Sequence, residues 1–306
     1  MGLKGFLRIV YILFAVLTIT VMVLWGYWRY GLFDTVELRN RVYLIQASLL
    51  GKPVGANVLA VDTAEGWVLV DSQLSGLATP LSIALEGLSD QRVRAIINTH
   101  WHPDHTGGNL DLGEGAHRYA HESTQLWMSS AQSARALTSP ESVHNFPPSP
   151  IDAIPNITYK QDTTIAYGSI RLKLVHPGRA HTGGDTIVEI PHANIIHMGD
   201  ILWPGALPFS EPEHGGDLLG LMDTLLRYSE NADEATLFVS GHGDVLTAEE
   251  LRAYVDAVRA AFIQVTTGFS NVDALRNAVE LPEPLNSLQT PLVPAWRWAE
   301  MLEASQ

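Results

Sequence analysis

Hydrophobic positions divide this chain into an apolar head and a body of short, punctuated runs. From Ile9 to Trp28 there are 20 consecutive uncharged residues, nearly all apolar, with Lys4 and Arg8 before them. A helix of that length rises about 1.5 Å per residue and matches a bilayer core of ~30 Å. The run closes on Trp25-Gly26-Tyr27-Trp28-Arg29-Tyr30, an aromatic cluster of the kind found at membrane interfaces. The pattern predicts an uncleaved N-terminal transmembrane helix over residues 1–30, with membrane contact through residues 9–28. The amino end is expected in the cytoplasm and the remainder on the periplasmic or extracytoplasmic side, because large domains translocate largely regardless of flanking charge. Residues 31–41 read as a polar linker.

From residue 42 onward the runs shorten to strand length. Val42–Ser48, Asn57–Val61 and Trp67–Asp71, punctuated by Gly51, Pro53, Gly55 and Gly66, predict an antiparallel meander. A helix over Pro80–Leu88, strands over Val93–Asn98 and Ala116–Ala120, and a helix over Glu122–Ala136 follow. Residues 137–156 carry Pro140, Pro147, Pro148, Pro150 and Pro155 and predict a long loop, a candidate lid. The second half repeats the order, with strands over Thr164–Ala166, Ile170–Val175, Thr186–Ile190 and Ile195–Met198. A helix over Leu218–Tyr228, a strand over Ala235–Val239 and helices over Ala248–Thr266 and Trp296–Leu302 complete it. Strands leading and helices following in each half fit two sheets packed face to face with helices outside, in one domain spanning 42–306.

Composition narrows the chemistry. A net charge of −14 argues against a nucleic-acid partner. The sequence contains no cysteine, so disulfides and thiolate ligands are excluded, and only His, Asp and Glu remain to hold a metal.

Against that background Thr99-His100-Trp101-His102-Pro103-Asp104-His105-Thr106-Gly107-Gly108-Asn109 stands out, directly after the strand-like Val93–Asn98. Neutral imidazole and carboxylate suit zinc and similar divalent ions. In an extended segment His100 and His102 point the same way, while Asp104 and His105 follow a proline that turns the chain. Three later segments also end strands with potential ligands. They are Ala180-His181-Thr182-Gly183-Gly184-Asp185, His197-Met198-Gly199-Asp200 and Val239-Ser240-Gly241-His242-Gly243.

Across about residues 40–265 these motifs, in this order, resemble the metallo-β-lactamase superfamily. The resemblance implies a four-layer αββα sandwich. It implies a first metal on His100, His102 and His181, and a second on Asp104, His105 and His242, with Asp200 bridging. Asp71, in Val68-Leu69-Val70-Asp71-Ser72, resembles the family's early supporting aspartate. The absence of cysteine sets the chain apart from β-lactamases with a Cys ligand. Asp200 and Gly215-Gly216-Asp217 place it nearer glyoxalase II, lactonases and the exported β-lactamase-like branch.

The implied function is a hydrolase with two zinc ions per chain, iron or manganese being possible alternatives. It would cleave an ester, thioester, lactone or amide in a small-molecule substrate by attack of metal-held hydroxide, with Asp104 orienting the nucleophile. Two rivals stay open: a mononuclear-iron persulfide dioxygenase of the same superfamily, and a non-catalytic membrane-tethered metal-binding protein. His214, in the loop after Asp200, is a candidate substrate contact. His117, His121, His144, His176, His192 and His197 read as structural or surface residues. Trp101, Trp203 and Phe209 read equally as packing residues or as apolar walls.

Overall fold

The structure, a computed structural model, describes residues 3–136, 139–291 and 293–305. Helix α1 (Leu3–Tyr30) leads into strands β1 (Phe33–Arg39), β2 (Val42–Leu49), β3 (Lys52–Pro53), β4 (Val58–Thr63) and β5 (Gly66–Val70). Helix α2 (Ala78–Leu88), strands β6 (Val93–Ile97) and β7 (His117–His121), and helix α3 (Glu122–Met128) follow. Next come strands β8 (Gln132–Ala136), β9 (Ser139–Phe146) and β10 (Ile157–Tyr159). The second half comprises β11 (Thr163–Tyr167), β12 (Ile170–Val175), β13 (Ile187–Ile190), β14 (Ile195–His197), α4 (Leu218–Asn231), β15 (Leu237–Val239), β16 (Leu246–Thr247), α5 (Ala248–Gly268) and α6 (Ala295–Ala304).

The first sheet runs β1-β2-β4-β5-β6-β7-β10, with β3 added to β2, and the second runs β11-β12-β13-β14-β15-β16. Alternation along each strand explains the layering. Leu59, Val61, Val68, Val70 and Ile97 meet Leu172, Leu174, Val188 and Ile195 between the sheets. The intervening Val58, Ala60, Trp67, Leu69 and Ile96 face outward and pack on Ala78, Leu81 and Leu85 of α2. The outer face of the second sheet, through Ile187 and Phe238, is covered by Leu221 and Leu225 of α4, Leu251, Val255 and Val258 of α5 and Trp298 of α6. Each buried aliphatic or aromatic side chain contributes about 1.5–3 kcal/mol relative to exposure, so neither sheet face is stable uncovered. Helix, sheet, sheet, helix is the expected layer order.

Several expectations need correction. The linker expected over 31–41 contains β1, which pairs antiparallel with β2 from Phe33↔Ala47 to Arg39↔Val42. As an edge strand it is mostly exposed, so its polar alternation looks like a linker. The helix expected over Glu122–Ala136 ends at Met128. There the Ser129 hydroxyl donates to the Gln125 carbonyl (2.6 Å) and the Ser130 hydroxyl to that of Leu126 (3.1 Å), satisfying carbonyls of the last turn. The chain then enters the β8–β9 hairpin, so part of the expected loop 137–156 is strand. Residues 137 and 138 of that loop lie outside the described residues.

The expected bilayer span over Ile9–Trp28 is not found: among the described residues no helix is long and apolar enough to cross a membrane. The side chains at 9, 10, 12 and 15 are outside the described set, and what remains falls short of the ~20 apolar residues a spanning helix needs. The described part of α1 is apolar and exposed, with Leu13, Phe14, Leu17, Ile19, Met22 and Leu24 each above 59%. Its base is fastened to the domain by Tyr27, whose hydroxyl donates to the Ser48 carbonyl (3.3 Å) and accepts from the Leu50 amide (3.2 Å).

Candidate metal centre

Five strand ends on one rim supply the site. Asp71 follows β5, the His100–His105 segment follows β6, His181 lies in the loop after β12, Asp200 follows β14 and His242 follows β15. Backbone bonds lock these loops together. The Gly241 amide donates to the Gly199 carbonyl (2.7 Å), and the Asn57 amide to that of Gly241 (2.7 Å). Gly241 is glycine for a steric reason, because a Cβ there would collide with Oδ1 of Asp200.

All seven residues expected as ligands come together, in two sets. His100, His102, His181 and Asp200 offer ligand atoms within 4.8 Å of one another, and so do Asp104, His105 and His242. Asp200 lies between the sets. Its Oδ1 is 3.2 Å from His105 Nε2, and its Oδ2 is 3.5 Å from His242 Nε2, 3.8 Å from His100 Nε2 and 3.9 Å from His181 Nε2.

Acceptors beside the outer ring nitrogens set the tautomers. The Phe209 carbonyl can only accept, so His181 Nδ1 (2.8 Å) carries the proton. The Asp71 carboxylate likewise takes the proton of His105 Nδ1 at 2.7 Å. The Thr99 hydroxyl donates to Asp71 Oδ2 (2.8 Å), which leaves its lone pairs to accept from His100 Nδ1 at 3.0 Å. Glu211 Oε2 sits 3.0 Å from His102 Nε2. In the neutral rings, lone pairs on Nε2 of His100, His181 and His105 and on Nδ1 of His102 therefore point inward.

Among the described residues, no donor answers the lone pairs of His100, His102 and His181. His100 Nε2 and His102 Nδ1 face each other at 2.9 Å, His102 Nδ1 and His181 Nε2 at 3.4 Å, and His105 Nε2 and His242 Nε2 at 3.4 Å. A tetrahedral ion with bonds of 2.0–2.1 Å to nitrogen separates its ligand atoms by about 3.3 Å. His242 Nε2 lies 3.1 Å and His105 Nε2 3.8 Å from Asp104 Oδ2, in the same range. The donor set fits a bound cation.

The electrostatics agree for His100 and His181. Burial, reinforced by the neighbouring His105 and His102, holds the His100 pKa well below its ordinary value. Burial likewise holds His181 down to about 4. For His105 and His242 burial works the other way from the carboxylates, and the carboxylates win. Asp200, Asp71 and Asp104 raise His105 well above its usual value, and Asp200 and Asp104 push His242 up to about 10. Burial alone would raise Asp104, Asp200 and Glu211, yet the facing imidazoles hold all three below the usual carboxylate range. Four carboxylates crowd this rim, with Asp71, Asp200 and Glu211 buried and Asp104 28% exposed. Such density of negative charge favours a cation, a role that protonated His105 and His242 take where no ion is bound.

Other residues fall into place around the ligands. Trp101 packs on His102 (ring centroids 4.8 Å), Phe209 on His181 (5.6 Å) and Trp203 on His242 (5.2 Å). His214 is buried behind His102 rather than lining an open pocket. His197 is buried near the rim, and His121 and His176 stack on each other at 3.8 Å. Sequence reasoning missed Glu211, because a single glutamate in Ser210-Glu211-Pro212 carries no spacing signal. A cavity of about 320 Å³ opens beside His242, lined by Gln46, Ser48, Pro53, Gly55, Asn57 and Gly243 among others.

The profile of the metallo-β-lactamase superfamily matches residues 51–242, more than half of the chain. Metallo-β-lactamase type 2 of Bacillus cereus is 28% identical over 150 residues, covering 49% of this chain and 52% of the relative. That of Bacillus sp. (strain 170) is 27% identical over 150 residues, covering 49% and 51%. An uncharacterized protein of Aquifex aeolicus (strain VF5) is 26% identical over 179 residues, covering 56% and 77%. The chain thus spans about half the length of the two named β-lactamases. Among solved structures, a metallo-β-lactamase from Pontibacter korlensis superposes with a TM-score of 0.57 at 21% identity, covering 74% of this chain and 99% of the other, a likeness of fold. Profile, fold and rim together lead to one conclusion: the chain belongs to the metallo-β-lactamase superfamily.

Proposed function

We propose that the chain is a dinuclear zinc hydrolase acting on an ester, thioester, lactone or amide. The observation that carries this reading is the set of inward lone pairs on His100, His102 and His181, met by no donor among the described residues and spaced as ligands of an ion. The count of two rests on the two ligand sets, each with its own group of inward ligand atoms. When bound, such ions lower the pKa of a water toward ~7 and polarise a carbonyl. The chain's own residues do the rest. His100, His102 and His181 would hold one ion, Asp104, His105 and His242 the other, and Asp200 lies within reach of both. Asp104, partly exposed at the mouth, is placed to orient a water and accept its proton. The cavity beside His242 offers room for the substrate.

The exposed apolar surface of α1 supports a membrane tether for the domain, and carbonate extraction of membranes from expressing cells tests that placement. The reaction is tested with chromogenic ester, thioester, lactone and lactam substrates offered to stripped and zinc-reloaded protein. Turnover restored by zinc in at least one class is expected. Full turnover in stripped protein, or one iron per chain with oxygen uptake, would overturn it.

A further inference from the structure

Behind His102, on the side away from the other ligands, lies a polar chain that the site as described leaves unused. Glu211 is 3% exposed, and its Oε2 sits 3.0 Å from His102 Nε2 and 3.1 Å from His214 Nδ1. It makes no well-directed hydrogen bond to either ring and is shared between them. His214, itself 4% exposed, turns its other nitrogen to Gln132 Oε1 (3.3 Å), the first residue of β8. Trp101 covers the pair, its ring 4.5 Å from His214 and 4.8 Å from His102.

The same carboxylate-bearing segment grips the neighbouring ligand through its backbone. The Glu211 amide donates to the His181 carbonyl (2.8 Å), and the Gly183 amide donates to the His214 carbonyl (2.8 Å). A buried carboxylate with two imidazoles beside it is costly unless both rings present N–H to it. If His102 presents Nε2–H, its Nδ1 is a lone pair aimed at the cluster. The Gln132 NH₂ is held by the Trp127 carbonyl (3.0 Å) and the Ser130 hydroxyl (2.7 Å), so its Oε1 faces His214 and accepts from Nε2–H, and His214 serves both neighbours when Nδ1 also presents N–H to Glu211.

We infer that Glu211 is a positioning residue for His102, held in turn by His214, so that a Gln132–His214–Glu211–His102 chain ties the β8–β9 hairpin to one ligand of the first ion. The inference rests on the metal reading above. General experience with carboxylates behind ligating histidines gives the expected size, a 10–100-fold loss of metal affinity when the carboxylate is removed.

The test titrates zinc alone, against a chromophoric chelator, into the full chain in detergent, comparing wild type with Glu211→Gln and His214→Gln. Gln keeps the volume of Glu and one acceptor, so a purely structural role predicts an unchanged isotherm. The expected result is one of two sites weakened 10–100-fold in Glu211→Gln and the other unchanged, with a smaller loss in His214→Gln. Cobalt substitution should show an altered d–d absorption for the weakened site. Two unchanged sites in Glu211→Gln would overturn the inference and leave the metal reading standing. No zinc uptake by wild type would overturn the metal reading and this one with it. If Glu211→Gln does not fold, the His214→Gln isotherm decides, and an unchanged one overturns the inference.

Discussion

Replacing Asp71 with Asn changes one atom in the support of the site and leaves the backbone at ease. Asp71 has a φ of 63°, a left-handed conformation that Asn also tolerates. The side chain is fully buried and accepts three bonds, from the Thr99 amide (2.8 Å), the Thr99 hydroxyl (2.8 Å) and His105 Nδ1 (2.7 Å). An amide has a single oxygen. If it takes the Oδ2 position, its NH₂ faces the Thr99 amide, an unsatisfied buried donor worth about 1–3 kcal/mol. If the NH₂ takes that position, His105 must move its proton to Nε2 and loses the lone pair it turns toward Asp104 and His242. In the first case the bond behind His105 falls from a charge-assisted one to a neutral one, and in the second the lone pair is lost, so both weaken the second ligand set. Loss of such a support costs 10–100-fold in metal affinity, about 1.4–2.8 kcal/mol. Zinc competition with a chelator measures it, and thermal melts of stripped protein separate the folding cost from the binding cost. An Asp71→Asn chain that binds zinc at both sites as tightly as wild type would refute the tautomer argument.

Three further outcomes follow from the same geometry. Gly241→Ala places a methyl group on Asp200 Oδ1 and should reduce metal content and turnover as severely as Asp200→Ala, read by elemental analysis and a substrate assay. Burial holds the His197 pKa down to about 4, and its Nδ1 accepts from the Gly199 amide (3.1 Å). The folded state therefore binds fewer protons than the unfolded one between about pH 6.5 and 4. Stability present above 6.5 is lost as the pH falls through that window, on the order of 3 kcal/mol for this residue in stripped protein. Protonation of His197 near 6.5 in an NMR titration would contradict this. Zinc at about 1,000 times its dissociation constant should stabilise the fold by roughly 4 kcal/mol, visible as a melting shift that a chelator abolishes.

The parts of the site legible in the sequence are those whose meaning is local. His100, His102, Asp104 and His105 sit within six positions, and extended geometry followed by a proline turn brings them together without long-range information. His181, Asp200 and His242 become legible only through family resemblance, since a lone histidine or aspartate at a strand end is common. Glu211 was invisible because its partner His102 lies more than a hundred positions away and nothing in its neighbourhood repeats. The central strands announced themselves as apolar runs, whereas β1 did not, because an edge strand with exposed Asp34, Thr35 and Glu37 has no buried face to set a pattern. The early end of α3 was not legible, because the chain beyond it pairs as the β8–β9 hairpin, a contact between segments that local propensity does not reveal. The described part of α1 shows that an apolar run in the sequence and a demonstrated membrane span are separate findings.

The central claim is that the inward lone pairs of one rim enclose two cations. Diffraction from zinc-loaded crystals, recorded on both sides of the zinc absorption edge, tests it most directly. Two anomalous peaks per chain are predicted, one bounded by His100, His102 and His181, the other by Asp104, His105 and His242, with Asp200 touching both. Density for zinc elsewhere, or an empty rim in crystals grown with excess zinc, would contradict it.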